Sequence, residues 1–279
     1  MIEIITKSLR ESLEISLYIF LMMVVLDLIN IRSRGTLHNM IQKKAWRPYV
    51  FTSMLGVIPG CFGGFMSVSM YIHGIVGIGA LTTALIASSG DAALVMIVKF
   101  PYAALVLFFC LIIIGLLGGG LIQWIITRLK LPIQTECQLQ EVHEDERSVK
   151  HYFFDHIWHH IVKRHLFRIF IWMLGAFLFL NFAFHFWDVD LFVRENKLWV
   201  LFLASLIGLI PDSGPQFIFV FLFADSTIPF SVLLANTISQ EGHGILPLVS
   251  YSIRDASLIK LYKFILSIII GGSVYLFGL

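Results

Sequence analysis

"GLIPDSGPQF", residues 208–217, interrupts a long apolar run with two prolines, an aspartate, a serine and a glycine. A stretch 152 residues earlier (208 less 56) follows the same plan. It reads "GVIPGCFGGF" (56–65), and Gly56, Ile58, Pro59 and Phe65 match Gly208, Ile210, Pro211 and Phe217. Kept without a gap, the offset lays "IASSGDAAL" (86–94) on "ISQEGHGIL" (238–246). Ile86, Gly90 and Leu94 then match Ile238, Gly242 and Leu246, while Asp91 falls on His243 and Ser89 on Glu241. Scattered apolar identities are common between two greasy segments. An Ile-Pro pair and a glycine in one ungapped register are not, and the chain reads as an internal repeat.

Composition says what medium surrounds the repeat. Of 279 residues 58% are hydrophobic and 14% charged, where a soluble domain carries about 25% charged residues. The chain is expected to be an all-α polytopic membrane protein, with membrane lipid as its first partner. A net charge of +2 offers no basic surface for nucleic acid. Cys61, Cys110 and Cys137 are too few and too scattered for a disulfide framework. There is no phosphate-binding GxxxxGK, no dinucleotide fingerprint, no HExxH and no soluble domain, so no enzyme activity is expected. Lys7 and Arg10 precede the first apolar run, no small-residue cleavage site follows it, and Arg32 and Arg34 flank its far end. That pattern reads as a first membrane helix rather than a removed leader.

Runs long enough to span cover 12–30, 49–71, 74–98, 102–127, 166–187, 198–223, 227–251 and 259–279, a helix needing about 20 residues to cross. The chain therefore divides into a first membrane repeat (1–130), a polar histidine-rich loop (131–165) and a second membrane repeat (166–279). Arg32, Arg34, Lys43, Lys44, Arg47, Arg128, Lys130, Lys163, Arg164, Arg168, Arg254, Lys260 and Lys263 are placed on the cytoplasmic side. The acidic stretch 188–197 suits the outside. With residues 32 and 128 both inside, the three runs between them make an even number of crossings, so one is a hairpin. Its tip lies either at "IPGCFGG" and "IPDSGP" or at "SSGD" and "QEGHG". The first half then starts outside and ends inside, and the second does the reverse. That is a pair of inverted-topology repeats with broken or re-entrant helices, about eight to ten membrane segments in all, a pattern that points to a transport site near the midplane.

The polar residues of the breaks are the candidate site. Glu241 near the bilayer centre costs at least about 2.5–3.5 kcal/mol on insertion scales. Gly242 and Gly244 loosen the backbone around His243 and free carbonyls that line a cavity or find partners. No basic residue stands in these breaks, so Glu241, His243, Asn236 and Gln240 read as ligands of a cation or as a proton relay. Asp91 joins them as the partner of His243 in the repeat, and Asp212 in "IPDSGPQ", with Ser213 and Gln216, is equally well turn chemistry. Cys61 reads as a small apolar filler. His156, His159 and His160 share a helical face beside Asp155 in the loop, either as a loose metal site or as part of an amphipathic segment on the membrane surface.

"IPGCFGGF", "ALIASSGDAAL", "FFDHIWHHIVKRH", "GLIPDSGPQFIFV" and "LLANTISQEGHGILPL" resemble segments of a bacterial membrane family of manganese transporters, or ten-helix heavy-metal exporters of an arsenic-efflux type. The resemblance spans both halves and the loop. It implies a transporter of the bacterial inner membrane, working as an exporter. One departure is Ala92, where an acid is expected after Gly90-Asp91, which speaks against a two-acid site there. Carboxylate, carbonyl and imidazole suit manganese, while arsenite wants thiolates. On ligand type the cargo is expected to be a manganese-like divalent cation rather than arsenic, with proton exchange at Glu241 or His243, no resident cofactor, and homo-oligomerisation open. The alternative is a carrier or hydrolase of a phosphorylated lipid, which would need basic residues at the breaks.

Overall fold

The computed structural model describes residues 44–90, 92–133, 197–212 and 214–278, with isolated positions between 5 and 17 and between 170 and 178. Most of the first apolar run, the loop histidines, most of the run 166–187, Asp91 and Ser213 lie outside the described residues. Among those described, the chain is helical with no strand.

In chain order the elements are α1 (Arg47–Val57), α2 (Phe62–Ile72), α3 (Ile78–Ala87), α4 (Ala92–Lys99) and α5 (Pro101–Leu129). Then come α6 (Lys197–Gly208), α7 (Gly214–Ala224), α8 (Phe230–Ser239), a 3-10 turn (Gly242–Ile245), α9 (Leu246–Tyr251) and α10 (Ile253–Leu276). Local chemistry explains the boundaries. Pro101 opens α5, where its missing N–H costs nothing, and a left-handed Lys130 (φ 48°) closes it. Ser252 caps α10 by accepting a hydrogen bond from the Asp255 amide.

All four glycine and proline signals of the sequence are breaks in this structure. Ile58–Cys61 separates α1 from α2, and residues 88–90 lie between α3 and α4. Residues 209–212 and 240–245 do the same in the second half. The two kinds of break differ. Both α1 and α2 pack on α3, and both α6 and α7 pack on α8, so the chain turns back at the Ile-Pro breaks. α3 and α4 do not lie side by side; together they form one interrupted span, Ile78–Lys99. With α5 and α10 it is one of three described segments long and apolar enough to cross a membrane.

The offset of 152 residues seen in the sequence recurs in the elements: α2 begins at 62 and α7 at 214, and α3 begins at 78 and α8 at 230. It recurs in the packing too. Gly56 presses on the Ala84 carbonyl and Gly208 on that of Asn236, and a Cβ at either glycine would strike backbone. Gly90 (φ 57°) and Gly242 (φ 49°) both take left-handed backbone, which glycine adopts without strain. Gly56 and Gly208 thus make the same backbone contact in the two halves, and Gly90 and Gly242 the same backbone turn.

Two apolar cores result, and each borrows from the other half. Residues of α1–α3 pack with Ile245 and Leu248, while α6–α8 pack with Ala92 and Met96 of α4. The outer faces stay apolar: Leu105, Phe109, Leu117 and Trp124 on α5 and Leu261, Ile265 and Ile269 on α10 are exposed. An unbroken apolar band of this kind is a lipid-facing surface.

Candidate functional site

The four breaks meet. Gly60 N–H donates to the Gly90 carbonyl at 2.9 Å, which ties the two breaks of the first half together. The Gln240 side-chain amide donates to the Ser88 carbonyl at 3.3 Å, joining the halves at two positions that are repeat partners. The amides of Gln240 and Gln216 flank Gly90 so closely that a Cβ there would meet both. Gln216 is buried, and neither of its amide atoms has a hydrogen-bond partner among the described residues.

His243 is the hub of one side of this centre. Its Nε2 lies 3.6 Å from Asp212 Oδ1, and its Nδ1 lies 3.8 Å from Cys61 Sγ. Both neighbours come from Ile-Pro breaks, one from each half. Cys61, expected as an apolar filler, instead faces the imidazole. Two ligands held at about 2.1–2.3 Å by a tetrahedral metal ion sit roughly 3.6 Å apart. The Cys61–His243 spacing thus has the width of a two-ligand metal seat. The ring nitrogens face opposite ways, and among the described residues no three His, Cys, Asp or Glu side chains converge on one point. Further ligands would come from carbonyls or water.

Glu241 is the other side, and here the expectation of a carboxylate without a cation is corrected. Lys263 Nζ lies 3.7 Å from Glu241 Oε1, and Lys260 Nζ lies 3.9 Å from Oε2. Lys263, placed by sequence among the charges flanking a cytoplasmic loop, is buried completely. Its ammonium donates at 2.8 Å to the Leu85 carbonyl and at 2.8 Å to that of Gln240. Lys260 donates to the Leu209 carbonyl at 3.0 Å. A buried charge needs pairing and satisfied donors; one turn of α10 supplies the two ammonium groups, and carbonyls of Leu85, Gln240 and Leu209 satisfy their donors. The signal was present in the sequence: "LIKLYKFIL" sets two lysines three residues apart inside an apolar run, and an ionisable residue within a span is a site candidate by default.

Of the other expected residues, Asn236 is turned away from this centre. Its amide donates to the Ala204 carbonyl at 2.8 Å and holds α8 to α6. Asp91 lies outside the described residues.

A family model described as "Putative, 10TM heavy-metal exporter" matches residues 1–167 and 133–278. No curated protein and no solved structure matches the chain.

Proposed function

The chain belongs to this family of ten-span heavy-metal exporters, and from that premise we propose that it is a secondary exporter of a divalent transition-metal cation. The observation behind this reading is the position of His243, between the Asp212 carboxylate and the Cys61 thiol where the breaks of both halves meet. Imidazole and carboxylate suit manganese, and a thiolate beside an imidazole suits softer ions such as zinc or cobalt. The cargo is therefore a borderline cation, with manganese at the hard end of the range. Ligands must shed protons to take a metal, so proton exchange at His243 or Glu241 couples transport. The two halves have opposite topology in the inner membrane, and the centre faces each side in turn.

Phosphorylated lipid is the second reading, favoured by the two lysines at the centre. Both ammonium groups are already committed to backbone carbonyls and to Glu241, which leaves little positive charge for a phosphate. Flux decides between the two. Proteoliposomes holding the full chain should accumulate manganese, cobalt or zinc when a proton gradient is imposed, and His243→Ala should abolish this. Uptake of a phosphorylated lipid analogue with no metal flux would overturn the proposal.

A further inference from the structure

We propose that the Lys263 ammonium fills a monovalent-cation seat built jointly by the two halves, and so replaces a coupling ion such as sodium. The seat has two hydrogen-bond acceptors and a counter-charge. The Leu85 carbonyl belongs to the last turn of α3, and the Gln240 carbonyl caps α8, each 2.8 Å from Nζ. Glu241 Oε1, at 3.7 Å, supplies the negative charge. Two of the ammonium's three N–H donors are bonded to carbonyls, and the charge is balanced by the carboxylate beyond hydrogen-bond length.

The two carbonyls sit where a cation is most strongly drawn. The last turn of a helix leaves carbonyls without intrahelical partners and gathers the negative end of the helix dipole. α3 and α8 both end inside the protein, and Lys263 is aimed at the ends of both. Unwound carbonyls and half-helix C-termini of this kind coordinate small cations in transporters with broken helices. Here the ion is covalently tethered to α10. The seat is single: 152 residues before Lys263 stands Leu111, which has no charge to offer. Lys260 is held elsewhere, by the Leu209 carbonyl at 3.0 Å.

The consequence is that the native protein needs no alkali cation, and that removing the lysine creates a requirement for one. The test uses the purified full-length protein in detergent. Melting is followed in choline chloride, with choline then exchanged for sodium, potassium or methylammonium at constant ionic strength. The wild type should melt at one temperature in all four. Lys263→Ala should melt lower in choline and recover saturably with a small cation, methylammonium being the nearest match to the lost group. The expected rise is about 3 °C at roughly tenfold over the dissociation constant. Lys263→Met fills the space without a charge and should show no such recovery. Melting of Lys263→Ala that ignores the cation overturns the proposal, as does equal cation dependence in Lys263→Met. If Lys263→Ala cannot be recovered from choline, extraction in methylammonium must recover it, and failure in every cation overturns the proposal as well. Melting reads the seat and not the cargo, so this outcome is separate from whether a metal is exported.

Discussion

Glu241 and Lys263 meet at 3.7 Å with neither side chain exposed. Removing one partner of a buried pair costs about 3–5 kcal/mol when the other charge is left uncompensated, an upper bound for Lys263 because Lys260 stays 3.9 Å from Glu241. Lys263→Met should therefore destabilise by up to that amount, and adding Glu241→Gln should restore a large part of it. Denaturant unfolding in detergent measures both; a double variant as unstable as the sum of the single ones would show that the pair is not coupled. Cys61 makes a different kind of claim. If it shares an ion with His243, cobalt bound to the wild type shows a thiolate-to-cobalt charge-transfer band, and Cys61→Ser removes it while weakening manganese binding little. A band that survives the substitution would place the ion elsewhere. His243, Asp212, Glu241 and Gln240 were legible as site candidates because polar residues in an apolar run are costly without a task. The lysines beside Glu241 were missed, because a count of basic residues gives a side of the membrane and says nothing of the direction in which a side chain points.

At the scale of elements, the breaks were readable because glycine and proline act locally. The way the halves share their cores was not, since the packing of α4 with α6–α8 is a contact between distant parts of the chain. The repeat allows a matched experiment. Gly56 and Gly208 lie against backbone carbonyls, whereas Gly120 and Gly272 have nothing within 4 Å of an added Cβ. Alanine at Gly56 or Gly208 should cost about 1–3 kcal/mol by overpacking. Alanine at Gly120 or Gly272 should be neutral or stabilising by about 0.4–1 kcal/mol. Equal melting of all four variants would contradict the close contacts.

For the whole molecule, the chain belongs to a ten-span exporter family, and the expected inversion of its halves can be tested directly. Gly74 and Ser226 occupy equivalent exposed turns with left-handed backbone. In a background without the three native cysteines, Gly74→Cys should label only from the cytoplasm and Ser226→Cys only from outside; labelling from one side would rule inversion out. The central claim, that a metal ion is held where the breaks meet, is tested most directly by calorimetry. Manganese, cobalt, zinc and calcium are titrated into the purified protein in two buffers of different ionisation heat. The account predicts that transition metals bind with proton release, that calcium does not bind, and that His243→Ala abolishes the binding. Absence of binding, or binding unchanged in His243→Ala, would contradict it.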